Sequence, residues 1–139
     1  MGKISNVVVL AFSVLLAGCS AFAPTLDEAG IVEIEISQKD KPPRVYFVHA
    51  YRSSGETVIR GRLKYPVWSW YGMFPGHIDL TFSPLHGEKT TLHDVAVIPK
   101  RIPKKRGREA FFVGRIATDI PEGTRIIVEY SEKKHDRRS

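Results

Sequence analysis

His77 and Asp79 stand two residues apart in "HIDLTFS", and His93 and Asp94 stand side by side in "TTLHDVAVI". In a strand a spacing of two puts both side chains on one face, so His77 presents an imidazole beside the Asp79 carboxylate. Such a pair can move protons or bind a metal, and imidazole with a thioether suits copper, imidazole alone zinc. Met73, His77 and His93 are therefore the candidate metal ligands, with His49 and His86 placed elsewhere in the chain. Their spacing matches no established zinc motif. For hydrolysis the chain has Ser, His and Asp residues, but no G-x-S-x-G elbow, H-E-x-x-H helix or Gly-rich phosphate loop. Most carboxylates fall on outward strand positions or in turns, which provides no paired-acid cleft. The expectation is a non-catalytic protein with no cofactor; copper or zinc binding is the alternative, and an uncharacterised hydrolase ranks behind it.

The chain has one cysteine, Cys19, in "LLAGCS". Ahead of it lie Lys3 and the apolar run "VVVLAFSVLL", then the small residues Ala17 and Gly18. A positive start, a short apolar run and a small-residue cleavage zone read as an export signal, removed as residues 1–18. The run is shorter than the ~20 residues of a spanning helix. The four residues "LAGC", Leu16 to Cys19, resemble the lipobox of bacterial lipoproteins. This resemblance covers residues 1–19 and implies a diacylglyceryl group on the Cys19 thiol, cleavage before it and acylation of the new amino terminus. Two or more acyl chains anchor a protein stably where one does so only marginally. With Ser20 rather than Asp next, the resemblance also implies the outer membrane and a periplasm-facing domain. The mature chain would keep no thiol, so burial must hold it without disulfides.

These residues need a scaffold, and the mature length allows one domain. Residues 19–29, "CSAFAPTLDEA", read as the lipidated start and a tether. From Gly30 the apolar period is two. "VEIEI" puts Val32, Ile34 and Ile36 on one face and Glu33 and Glu35 on the other. "RVYFVHAYR" and "TVIRGRLKY", separated by "SSGE", read as a hairpin, with Ile59, Gly61, Leu63 and Tyr65 on one face and Arg60, Arg62 and Lys64 on the other. "HIDLTFS" turns Ile78, Leu80 and Phe82 inward. "TTLHDVAVI", "EAFFVGRIA" and "TRIIVEY" complete the set, punctuated by Pro and Gly. About seven short strands at this spacing predict an all-β antiparallel sandwich over residues 30–131, immunoglobulin-like or transthyretin-like in general plan, with a small closed barrel as the alternative. Residues 132–139 read as a polar tail.

Two segments between strands look like contact surfaces. "YPVWSWYGMFPGH" holds both tryptophans, and its candidate contact residues are Trp68, Trp70, Tyr71 and Phe74. "KRIPKKRGR" carries Lys104, Lys105 and Arg106 within the basic C-terminal third. Counting Lys and Arg against Asp and Glu, residues 19–98 give 8 against 9 and residues 99–139 give 12 against 6, a mature charge of −1 + 6 = +5. Clustered cations attract anionic headgroups, glycans or acidic proteins. An exported lipoprotein gives no reason to expect nucleic acid. Besides the membrane itself, reached through the acyl chains on Cys19, an envelope protein or glycan is the expected partner. The two segments form one site if they lie at the same end of the sandwich.

Overall fold

The computed structural model describes residues 23–37, 42–65, 73–101 and 109–133. The alternating segments form eight strands: β1 (Val32–Ser37), β2 (Arg44–Ser53), β3 (Glu56–Lys64), β4 (His77–Ser83), β5 (Thr90–Val95), β6 (Val97–Ile98), β7 (Glu109–Ile116) and β8 (Thr124–Ser131). They make two four-stranded sheets, β1-β8-β4-β5 and β2-β3-β7-β6, so the fold is an all-β sandwich. The strand beyond the seven expected is β6, two residues long and offset from β5 by Ala96. β1 and β8 pair in parallel and every other pairing is antiparallel. The first sheet therefore joins the first and the last of the described strands.

Inward positions follow the period of two. Ile78, Leu80 and Phe82 of β4 and Ile126 and Val128 of β8 meet Val45, Ala50, Ile59, Leu63, Ala110 and Phe112 of the second sheet. Each fully buried side chain of this size contributes about 1.5–3 kcal/mol over an exposed one. The β2–β3 hairpin turns through Ser54 and Gly55, both at positive φ (50° and 78°), the conformation that lets a two-residue loop match the strand twist.

The amino-terminal tether is shorter than the sequence suggests. Residues 25–29 belong to the domain. Thr25 and Glu28 form a capping box: the Thr25 N–H donates to Glu28 Oε2 (3.1 Å), and the Glu28 N–H donates to Thr25 Oγ1 (3.2 Å). One helical turn follows, ended by Gly30 at φ 72°. Leu26 is buried, and its N–H donates to the Ala50 carbonyl (2.8 Å). Asp27 Oδ1 accepts the Ala50 N–H (2.9 Å), while Oδ2 lies 2.9 Å from His49 Nδ1. The turn thus occupies the outer edge of β2 at Ala50, where an open strand edge would invite pairing with another chain.

Burial pushes the Asp27 carboxyl up, but hydrogen bonds from Ala50, His49 and Thr25 outweigh it and hold the group below its ordinary value. Asp27→Ala should lower stability by about 1–3 kcal/mol, because it strands a polar edge that is partly buried. A depressed folded pKa stabilises above the unfolded value. Measured by chemical denaturation, the difference from the parent should be complete at neutral pH and disappear as pH falls below the unfolded carboxyl value through the lower folded one.

Candidate functional site

Of the residues singled out above, Cys19, Trp68, Trp70, Tyr71, Lys104, Lys105 and Arg106 lie outside the described residues. Phe74 is a correction: rather than offering a contact, it is fully buried and stacks on Tyr65, ring centroids 4.6 Å apart. Its N–H donates to the Lys100 carbonyl (2.9 Å), and the neighbouring Met73 forms an isolated bridge with Arg101. Met73 and Phe74, which follow the tryptophans of the aromatic segment, are thus joined through their backbones to Lys100 and Arg101, which precede the rest of the basic segment.

His77 and His93 are brought together by Asp79. A bulge between β4 and β5 sets His93 and Asp94 against Asp79 alone, with Asp94 at φ 59°. Asp79 Oδ1 accepts the Asp94 N–H (3.2 Å) and lies 3.3 Å from His77 Nε2 and 3.4 Å from His93 Nδ1, while His77 Nδ1 lies 3.5 Å from Asp94 Oδ1. The sequence placed Asp79 on an outward face; its neighbours nevertheless cover it, leaving it nearly buried. Two imidazoles lie within ion-pair reach of one carboxylate oxygen here, His93 Nδ1 at hydrogen-bond geometry and His77 Nε2 buried beside it without a hydrogen bond at that atom among the described residues. Among the described residues no group of three or more His, Cys, Asp or Glu could hold a metal ion.

The most unusual surface is the outer face of β2-β3-β7-β6, of which alternation in the sequence gives Arg60, Arg62 and Lys64 but not the aromatic residues beside them. Strand register places Tyr46, Arg62, Phe111 and Ile98 in one row across the four strands, and His49, Arg60 and Val113 in the next. Arg62 lies over the Phe47 and Phe111 rings (5.8 and 5.5 Å from their centroids), and Arg60 over Tyr51 (5.7 Å). Each guanidinium therefore has an aromatic support, and its in-plane N–H groups are the natural place for an anionic oxygen. Among the described residues neither guanidinium is paired with a carboxylate. The face holds an open depression of about 440 Å³ between these side chains, with Gly61 at its floor.

Phe47 stands out most. Two residues of β2, Phe47 and Val48, oppose Gly61 alone, and this bulge throws Phe47 outward at φ 48° with 66% of its surface exposed. Neither choice favours stability: a left-handed conformation costs a residue with a Cβ roughly 1–2 kcal/mol, and an exposed phenylalanine recovers little by burial. Beside it, burial, reinforced by the adjoining Glu109 carboxylate, pushes the Tyr46 hydroxyl up to about 12, so that ring stays neutral.

The two outer faces differ in sign. That of the second sheet carries Arg44, Arg60, Arg62, Lys64 and Arg115 against Glu56 and Glu109, whereas that of the first carries Glu33, Glu35, Asp79 and Glu129 against Arg125. Among the described residues no helix is long and apolar enough to cross a membrane. Set against protein-family models, curated proteins and solved structures, the chain matches none. Fold and surface together define a class, a small β-sandwich with one basic, aromatic face.

Proposed function

We propose that this chain is a lipid-anchored, non-catalytic binding module of the bacterial envelope, held through acylated Cys19 and facing the periplasm from the outer membrane. Its working surface is the outer face of the second sheet. The observation that carries this reading is Phe47, an exposed aromatic in a backbone conformation that costs stability, seated against Arg62, which among the described residues is paired with no carboxylate. Strain and exposure combined at one residue are expected where a surface is used. The anchor is supported by "LAGC" and the apolar run before it. The Asp79 cluster does not favour the metal-binding alternative, since among the described residues no group of three or more His, Cys, Asp or Glu could hold an ion.

Photocrosslinking in cells from a probe at Val113, on this face, tests the reading. The control probe replaces Glu35, exposed on the opposite sheet. A discrete adduct from position 113, to protein, glycan or lipid, and none from position 35 is the expected result. Adducts from both positions or from neither, with the chain folded, remove the face as a binding surface. Mass analysis of the mature amino terminus reads the acylation of Cys19 independently.

A further inference from the structure

The chain enters the domain on the rim of the basic face. Asp27 bonds His49, which pairs with Arg60 on that face, and Thr25 opens the same turn. Residues 20–24 separate Thr25 from Cys19, and the six steps from one to the other reach ~20 Å when fully extended. That is shorter than the ~30 Å width of a small domain, so an acylated Cys19 keeps one side of the sandwich against the lipid. Charge selects the side: the first sheet would turn Glu33, Glu35 and Glu129 toward the membrane, the second Arg60, Arg62 and Lys64.

Resting on the lipid-anchored reading above, we propose that the outer face of β2-β3-β7-β6 docks on the anionic surface of the bilayer that holds the chain, Arg60 and Arg62 taking lipid phosphate oxygens and Phe47 entering the headgroup layer. A planar guanidinium on an aromatic ring keeps its N–H edge for a phosphate while its apolar plane stays covered. An aromatic side chain suits the headgroup boundary, and the face is an open surface rather than an enclosed pocket. Each basic side chain near an anionic membrane strengthens attachment about fivefold. The opposite face, carrying the carboxylates, points away from the lipid.

The test uses the mature lipidated chain in vesicles. Because acylation consumes the single native thiol, Ile98→Cys places one spin label on the docking face and Glu35→Cys one on the other. In vesicles of phosphatidylcholine with phosphatidylglycerol, the label at 98 should lose access to a water-soluble relaxation agent and the label at 35 should keep it. Phosphatidylcholine alone should shield neither. Arg60→Gln combined with Arg62→Gln should reduce the docking equilibrium constant about 25-fold. Added salt should release the unsubstituted face in the same way, which covers the case in which the double variant fails to fold. Equal accessibility of both labels in the anionic vesicles, with the chain still attached, overturns the docking and leaves the anchor intact. Shielding that arises only when envelope proteins are reconstituted alongside assigns the face to an acidic protein and also overturns it. A mature chain without acyl groups on Cys19 overturns the anchor and the docking together.

Discussion

Phe112→Ala is expected to lower the unfolding free energy by ~3–5 kcal/mol, read from chemical denaturation of the parent and variant chains. A domain of this kind is typically stable by about 5–15 kcal/mol, so much of the margin would be lost. The magnitude follows from position. Phe112 is 1% exposed on the inner face of β7, and register puts Gly61 of β3 directly opposite it. A Cβ on Gly61 would run into the Phe112 ring, so glycine is what lets that ring lie across the neighbouring strand. Gly61→Ala alone should therefore cost about 1–3 kcal/mol by overpacking. In the Phe112→Ala background the same methyl enters the space left by the ring, and its cost should fall by more than 0.5 kcal/mol, roughly the smallest coupling seen between contacting residues. Strictly additive costs would mean that the glycine serves the backbone alone. Gly114 presents the same case against Leu80, since its Cβ would strike the Leu80 side chain from the other sheet.

The inward faces were legible because a period of two is a direct consequence of strand geometry. Val32, Ile59, Leu63, Tyr65, Ile78, Leu80 and Phe82, assigned inward from alternation, are all buried. Of the outer face, Arg60, Arg62 and Lys64 were legible by the same alternation, while its aromatic residues were not, for a local reason. In "RVYFVHAYR" every residue from Val45 to Val48 is apolar or aromatic, and the bulge at Phe47 shifts the alternation by one, so no fixed parity describes the strand. "EAFFVGRIA" held a usable signal: Ala110 and Gly114 are small because they share the inner face with Phe112, which leaves Phe111 and Val113 outside. Only the pairing of Arg62 with Tyr46 on one side and Phe111 on the other gathers these residues, and pairing between distant strands is not written in any one segment. The tether misled differently. Thr25 and Glu28 have the spacing of a capping box, but a single turn has too few positions to show helical period. Leu26, its one buried apolar side chain, reads as an isolated apolar residue in a polar stretch. The Asp79 cluster was half visible: the two-residue spacing from His77 showed, whereas the approach of His93 depends on the bulge opposite.

Phe74 and Phe47 should respond to substitution in opposite ways. Sequence context made Phe74 part of an exposed aromatic cluster, yet its ring is enclosed and stacked on Tyr65, itself 2% exposed. Phe74→Ala should accordingly cost ~3–5 kcal/mol, with loss of binding only in proportion to the fraction unfolded. Phe47→Gly should leave stability within about 1 kcal/mol of the parent. Relief of a left-handed residue that carries a Cβ is worth about 1–2 kcal/mol, offset by the greater freedom of glycine in the unfolded chain and the lost contact with Arg62. The same substitution removes the most exposed ring of the face, so the adduct from a probe at Val113 should disappear while the melting curve stays in place. Should the adduct survive Phe47→Gly undiminished, the strained phenylalanine has no part in binding, and the face would work through Arg60, Arg62 and Phe111 alone. Loss of the adduct at unchanged stability would show that the bulge holds Phe47 outward for contact, at a cost the buried core of the two sheets can sustain.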